Sequence, residues 1–247
     1  MTNRFFVDRS VSRWDSNEAF LSGDEARHFT KVMRGKIGDS LVLFDGTGTY
    51  AHGIAETIQK EGIKIRIMET FADDVEPPLR LTVASALPKG DRQRFLIEKL
   101  AELGVAQFVP VLMERSVARA NESTLQRLRR YVIEAAKQCG RNVLMEITNE
   151  VPINKLNDSL TTETKFILHP VSLGSVGQTT FRQVLAGTPA FPRQIAILAG
   201  PEGSFTDQEV EEILRADFQP LDLGKRILRT ETACIAAAAV FLTFAGE

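Results

Sequence analysis

The distribution of apolar and polar positions divides the chain into two parts. Residues 1–72 contain short apolar runs separated by Gly- and Asp-containing turns, which is the pattern of strands in a small β barrel. Strands are predicted over 4–7, 40–44, 50–58 and 63–68, and one helix over 24–31. The segment 73–78 is polar and ends in Pro77 and Pro78, so it predicts a linker.

From residue 79 onward, apolar strands alternate with helical segments. The predicted strands are 79–87, 108–112, 166–169, 195–199 and 220–223, and the predicted helices are 92–103, 124–139, 206–216 and 230–244. This order predicts a second domain over 79–247 of the α/β class, with a mostly parallel sheet between helices. The last helix is apolar almost all round, which predicts burial on every side, either in the monomer core or in a dimer interface.

Two turns near the C-terminus predict a ligand site. Gly200-Pro-Glu-Gly-Ser204 follows one strand, and a turn containing Gly224 follows the next. In open α/β sheets, ligands bind at the carboxyl ends of the strands. Neither turn carries a phosphate-binding loop or a dinucleotide motif, so backbone groups and apolar walls are expected to hold the ligand. Such a cradle suits a base edge such as adenine.

A third glycine-rich segment has a simpler interpretation. Residues 45–51 contain the spacing Gly-x-Gly-x-x-Ala of dinucleotide-binding loops. A predicted strand rather than a helix follows it. We therefore expect a hairpin turn here.

Composition restricts the class of protein. The chain has 247 residues, of which 43% are hydrophobic and 25% charged, as in globular proteins. The apolar run at 233–244 is too short to cross a bilayer, and the N-terminus lacks the apolar core of a signal peptide, so we expect a cytoplasmic protein without a membrane segment. Cys139 and Cys234 are expected to be buried thiols, and the three His residues do not form a metal site.

Positive charge is concentrated locally although the net charge is −2. Between Pro88 and Arg141, eleven Lys or Arg face six Asp or Glu, which is the footprint expected of a protein that contacts a polyanion. Helix 124–139 carries a basic stripe that either tracks a phosphate backbone or is a solvated face. The candidate contacts with a polyanion, in the first 36 residues and on this stripe, are Arg4, Arg9, Arg34, Arg127, Arg130 and Lys137.

The two C-terminal turns resemble a known family. Gly200-Pro-Glu-Gly203 and Leu223-Gly-Lys-Arg-Ile-Leu-Arg-Thr-Glu-Thr-Ala233 are similar to the motifs of SPOUT methyltransferases of the RsmE type. The likeness extends to Lys99-x-x-Glu-Leu-Gly104 and to Glu134-Ala-Ala-x-Gln-Cys-Gly-Arg141. Ser204 departs from the second glycine usual in the family.

The resemblance implies a fold, an activity and partners. It implies a PUA-like β barrel at the N-terminus, a trefoil knot at the C-terminus, and S-adenosylmethionine as methyl donor. It further implies methylation of N3 of one uridine in small-subunit ribosomal RNA, with free RNA or an assembled particle as substrate. A homodimer is expected, and no metal. By motif position, the cofactor contacts are His169, Leu198, Gly200, Glu202, Gly203, Leu223, Ile227 and Leu228.

The expected reaction needs a group that stabilises negative charge on the uracil oxygens. Arg229 is our first candidate and Arg141 the second, and Glu231 or Glu202 is a candidate acceptor of the N3 proton. Alternatively, Arg229 pairs with Glu231 or Glu202 and has a structural role. The competing functions are ribose methylation of transfer RNA, a non-catalytic ribosome assembly factor that binds RNA, and an α/β enzyme acting on a small molecule.

Overall fold

A computed structural model describes residues 3–72, 75–162, 164–169, 179–186 and 192–246. The chain divides into two units, Met1–Glu76 with Ile133–Leu144, and Pro77–Val132 with Met145–Glu247. Two residues of the expected linker, Asp73 and Asp74, lie outside the described residues. Within the described chain, no helix has the length and apolar content needed to span a bilayer.

The first unit contains a five-stranded mixed sheet. Its strands are β1 (Arg4–Phe6), β2 (Glu18–Ser22), β3 (Ser40–Phe44), β4 (Thr49–Ile58) and β5 (Gly62–Ala72). The order is β1-β3-β4-β5-β2, with β1 and β3 parallel and the other pairs antiparallel. The sequence analysis missed β2, whose alternating Ala19 and Leu21 are buried. Phe44 pairs with Tyr50 across the hairpin predicted at 45–51.

The helix predicted over 24–31 has two parts. An α-helix, α1 (Gly23–Arg27), continues into a π-helical turn over His28–Val32. The Thr30 hydroxyl donates to the carbonyl of Ala26 at 2.9 Å, a bond that competes with the regular helix ladder. The fully buried Phe29 fixes this turn in the core of the first unit.

The second unit contains an eight-stranded parallel sheet in the order β11-β13-β10-β12-β6-β7-β8, with β9 beside β7. The strands are β6 (Arg80–Ser85), β7 (Gln107–Leu112), β8 (Glu146–Ile147), β9 (Val151–Pro152), β10 (Lys165–Leu168), β11 (Thr179–Thr180), β12 (Gln194–Ala199) and β13 (Gln219–Asp222). Every described strand pair in this sheet is parallel, which confirms the prediction from the alternating pattern.

Helices accompany these strands. They are α2 (Arg92–Leu103), α3 (Glu122–Cys139), α4 (Phe181–Ala186), α5 (Asp207–Arg215) and α6 (Thr230–Ala245), and two 3-10 turns cover Ile153–Lys155 and Asn157–Ser159. Gly104, with φ 93°, ends α2 in the left-handed conformation that favours glycine. Thr206 and Glu209 form a capping box at the start of α5.

The end of α3 is grouped with the first unit, although the sequence analysis assigned all of 79–247 to the second domain. Contacts within the first unit account for this. Lys137 pairs with Glu25 at 2.8 Å, and the Arg4 guanidinium donates to the side chain of Asn142 at 2.5 Å. The expectation that Cys139 is buried was wrong: it is the last residue of α3 and is exposed.

Helix α6 packs against α2, β6 and β12 but is not buried on every side. Ala237, Ala238 and Phe241 are buried, whereas Val240 and Phe244 are 37% and 42% exposed. The prediction of burial all round was therefore wrong for the chain by itself. Cys234, on the buried face, is fully enclosed, and burial raises the pKa of its thiol to about 12.

Candidate functional site

The two C-terminal turns border one cleft of about 520 Å³ in the second unit. Strands β12, β10 and β13 are neighbours and parallel, so their carboxyl ends lie at the same edge of the sheet. Residues 200–205, here called the proline turn, follow β12, and residues 223–229, here called the basic turn, follow β13. The cleft is lined by Leu168, His169, Ala199, Gly200, Pro201, Glu202, Gly203, Ser204, Phe205, Ile227, Leu228, Arg229, Thr230 and Ala233.

The proline turn is closely packed. A Cβ atom on Gly200 would lie 2.8 Å from the ring of buried Phe205, so this position has room for glycine alone unless the ring moves. That ring stacks on His169, with 5.7 Å between the ring centroids. The amide of Ser204 donates to the carbonyl of Pro201 at 2.9 Å. Ser204 itself has a φ of 62°, a conformation that favours glycine.

Side chains from other elements support the proline turn. Nη1 of Arg115, after β7, donates to the carbonyl oxygens of Gly203 at 2.9 Å and Phe205 at 3.3 Å. The Thr230 hydroxyl, at the start of α6, donates to the carbonyl of Gly200 at 2.7 Å. The Thr230 bond joins the proline turn to the residue that follows the basic turn. Sequence reasoning did not identify Arg115 or Thr230 as site residues.

The basic turn has fewer supporting contacts from its own side chains. Asp222 accepts a hydrogen bond from the amide of Gly224 at 2.7 Å, and Gly224 has a φ of 98°. Ile227 is 87% exposed although it lines the cleft. Arg229 is exposed and directly precedes α6, whose N-terminus carries the positive end of the helix dipole.

Most of the predicted cofactor contacts lie together. His169, Gly200, Glu202, Gly203, Ile227 and Leu228 line the cleft. The other two predicted residues are placed differently. Leu198 is fully buried among the apolar side chains of the sheet, and Leu223 is half-buried and is not among the lining residues.

The predicted catalytic residues are distributed over both units. Arg229 lines the cleft, whereas Glu231 does not. Both carboxylates considered as partners of Arg229 are paired with Arg92, at 2.9 Å to Glu202 and 3.9 Å to Glu231. Arg141 is only 5% exposed and, within the first unit, donates to both oxygens of Glu76 at 2.7 and 2.5 Å.

The predicted RNA contacts are mostly paired with neighbouring side chains. Arg4 donates to Asn142 and lies over the ring of Phe44; burial lowers the pKa of its guanidinium. Arg9 pairs with Asp45, Arg127 donates to Gln93, and Lys137 pairs with Glu25. Arg34 and Arg130 are exposed. Part of the positive charge counted from the sequence is therefore paired with side chains of the protein itself.

Among the described residues, no cluster of three or more His, Cys, Asp or Glu could hold a metal ion. The cleft offers its ligand backbone groups, apolar walls, the His169 ring and the side chains of Glu202 and Arg229. A concave site of this size, mostly apolar with few polar groups, suits a nucleoside-sized small molecule.

Comparisons with known families agree with this description. Residues 75–242 match the family described as RNA methyltransferase domain, and residues 21–68 match the RNA methyltransferase PUA domain. The chain is 31% identical to ribosomal RNA small subunit methyltransferase E of Buchnera aphidicola subsp. Acyrthosiphon pisum, over 94% of this chain and 91% of the relative. It is 28% identical to the enzyme of the same name from Bacillus subtilis, over 93% and 92%.

Two solved structures are similar over nearly the whole chain. A methyltransferase of Legionella pneumophila, solved with the cofactor S-adenosylmethionine, has a TM-score of 0.87 and 30% identity, covering 98% of each chain. Ribosomal RNA small subunit methyltransferase E of Neisseria gonorrhoeae, bound to S-adenosylmethionine, has a TM-score of 0.82 and 31% identity, again covering 98% of each chain.

Proposed function

Because the chain belongs to the RNA methyltransferase family that includes ribosomal RNA small subunit methyltransferase E, we propose that it methylates N3 of one uridine in small-subunit ribosomal RNA. The methyl donor is S-adenosylmethionine. Methylation of ribosomal RNA follows from the family, and the choice of uridine N3 is the finer proposal. The observation that carries the proposed methyltransferase activity is the convergence of the two motif-bearing turns on one cleft.

The residues of the cleft fit S-adenosylmethionine. The volume of about 520 Å³ falls in the range of small-molecule sites. Gly200 lines the cleft with backbone atoms alone, and a Cβ at this position would collide with Phe205. We propose that the proline turn and His169 hold the adenosine part, and that Ile227 and Leu228 cover it from the basic turn.

When bound, S-adenosylmethionine supplies an electrophilic methyl group on a sulfonium ion. The apolar walls exclude water, which strengthens electrostatic interactions at the point of transfer. Arg229 lines the cleft and is exposed, so its guanidinium can donate to a uracil oxygen as negative charge develops there. Of the two candidate acceptors of the N3 proton, Glu231 does not line the cleft and Glu202 is paired with Arg92, which favours loss of that proton to water before methyl transfer. The pairing of Arg141 with Glu76 supports a structural role for Arg141.

The target uridine must be unpaired, since N3 is occupied in a base-paired helix. We propose that the first unit, with its PUA-domain match, and the exposed Arg34 and Arg130 contact the RNA around it. The first unit would then be the PUA-like barrel of the family. Since ribosomal RNA is the substrate, we also propose a cytoplasmic location.

We propose that the C-terminal segment forms the trefoil knot of SPOUT methyltransferases. The bond from Thr230 to Gly200 supports this, because it joins the segment after β13 to the turn after β12. Helix α6 then packs against β6 and β12 rather than beside β13.

We also propose that the protein forms a homodimer. The exposed Val240 and Phe244 on α6, next to the half-buried Ala236 and Ala239, form an apolar stripe that a second copy of the chain would cover. Sedimentation analysis of the protein and of Val240→Asp tests this. We expect a dimer that the substitution dissociates; a monomeric wild-type protein would contradict the proposal.

The proposed reaction is tested by nucleoside analysis of the product. Small-subunit ribosomal RNA from cells lacking the protein is incubated with enzyme and labelled S-adenosylmethionine, digested, and analysed by mass spectrometry. We expect labelled 3-methyluridine. A ribose-methylated nucleoside would assign a different activity, and binding of RNA without any methylated product would favour an assembly factor.

A further inference from the structure

One arginine outside the two turns connects three elements of the site. Arg92 is the first residue of α2. Its guanidinium lies 2.9 Å from a carboxylate oxygen of Glu202, in the proline turn, and 3.9 Å from one of Glu231, in the first turn of α6. All three residues belong to the second unit. A single cation therefore lies between two carboxylates, of which Glu202 lines the cleft.

The two carboxylates differ in burial. Glu231 is 4% exposed, and its Oε2 atom has no hydrogen-bond partner among the described residues. A buried carboxylate is costly unless a cation lies close to it, so Glu231 fixes Arg92 in place. Glu202 is exposed and forms the shorter contact with the same guanidinium. The arrangement has an anchor, Glu231, and a positioned group, Glu202.

We propose that Arg92 is a positioning residue that holds the Glu202 carboxylate in the wall of the cleft for hydrogen-bond donors of S-adenosylmethionine. This inference rests on the proposed function, because it takes the cleft to be the cofactor site. Arg92 itself is not among the lining residues. It acts on the cofactor through Glu202.

The guanidinium has two properties that this role needs. Its planar fork carries five N–H donors, so it reaches two carboxylates at once, and it carries a positive charge. Lysine keeps the charge but not the fork. Glutamine keeps neither. Substitution by these two residues therefore separates the contribution of charge from that of geometry.

The test is calorimetric titration of S-adenosylmethionine into the full-length protein. We expect Arg92→Gln and Glu202→Gln each to weaken binding by about tenfold, the loss expected for a charged hydrogen bond. Because Arg92 acts through Glu202, the double variant should bind no more weakly than Glu202→Gln. Arg92→Lys, which keeps the charge but not the fork, should recover only part of the affinity lost in Arg92→Gln. In Arg92→Gln and Glu202→Gln, KM for the cofactor should rise more than kcat falls. Arg119→Gln, which removes a different arginine–carboxylate pair, is the matched control and should bind normally.

Arg92→Gln leaves Glu231 as a buried unpaired charge and can prevent folding. The double variant Arg92→Gln with Glu231→Gln removes that charge, and the same cycle with Glu202→Gln is then measured in the Glu231→Gln background. Additive losses of affinity, or normal affinity in a folded Arg92→Gln protein, would overturn this inference alone. Failure of the wild-type protein to bind S-adenosylmethionine would overturn the proposed function together with it.

Discussion

The proline turn and the basic turn line the same cleft but differ in how the protein supports them. The proline turn is held by Arg115, Thr230 and Arg92, and its Phe205 is buried. The basic turn exposes most of its side chains, including Ile227. The wall formed by the proline turn is thus fixed by contacts within the protein. The wall formed by the basic turn presents apolar surface that a bound molecule would cover, and Arg229 lines the cleft at its end.

The largest effect on cofactor affinity is expected from a change in the supported wall. Gly200→Ala forces the Phe205 ring to move, and that ring stacks on His169. We expect affinity for S-adenosylmethionine to fall roughly 10- to 100-fold and the free energy of unfolding to fall by about 1–3 kcal/mol. Calorimetry and denaturant unfolding measure the two quantities. Gly246→Ala, where a Cβ has ordinary contacts, is the control. Unchanged affinity would show that this wall tolerates a side chain.

The second prediction concerns the reactive end of the basic turn. Arg229→Ala should leave cofactor affinity within about threefold while kcat falls about 10²- to 10³-fold, as when one donor to developing negative charge is removed. Single-turnover methylation and calorimetry separate the two effects. Arg226→Ala removes a neighbouring exposed cation of the same turn and should have little effect on kcat. Full activity of Arg229→Ala would exclude the proposed role.

A smaller effect is expected from the exposed apolar wall. Ile227 is 87% exposed, so Ile227→Ser should change the free energy of unfolding by less than about 0.5 kcal/mol. Binding of the cofactor buries this side chain in our account, and the substitution should weaken it by about tenfold. Thermal unfolding measures the change in stability, and calorimetry measures the affinity for the cofactor. A lower melting temperature with normal affinity would mean that Ile227 supports the fold instead.

The smallest effect concerns backbone conformation in the proline turn. Ser204 has a φ of 62°, which costs a residue with a Cβ about 1–2 kcal/mol relative to glycine. Ser204→Gly should therefore raise the free energy of unfolding, by at most about 1 kcal/mol after the greater freedom of glycine in the unfolded chain is included. Asp217→Gly, at φ 63° outside the cleft, should behave alike. A less stable Ser204→Gly protein would indicate that the hydroxyl makes a needed contact.

The sequence predicted the elements of the site better than its side-chain partners. Alternation of strands and helices was sufficient to place Gly200 and Gly224 after strands of one parallel sheet, because parallel strands end at a common edge. The motif match then identified half of the residues that line the cleft, Arg229 among them. The pairing of Arg92 with Glu202 was missed. Its signal was available, since Arg92 begins the helix after β6, and β6 is the neighbour of β12.

Contacts between residues far apart in the sequence were the main omission. Arg115 donates to Gly203, 88 positions later, and nothing local to either residue indicates this bond. For the same reason, the eleven cations between Pro88 and Arg141 suggested a basic surface, yet Lys137 and Arg141 are paired with Glu25 and Glu76. Periodicity shows which face of a helix is polar; it does not show which partner that face meets.

Hydrogen–deuterium exchange with and without S-adenosylmethionine tests most directly whether the two turns form one binding site. Amide exchange is followed by mass spectrometry over the peptides that contain 200–205 and 223–229. Our account predicts that saturating cofactor slows exchange in both turns together, with the larger change in the basic turn because fewer contacts support it beforehand. Protection of only one turn, or of neither in a protein that binds the cofactor, would contradict it.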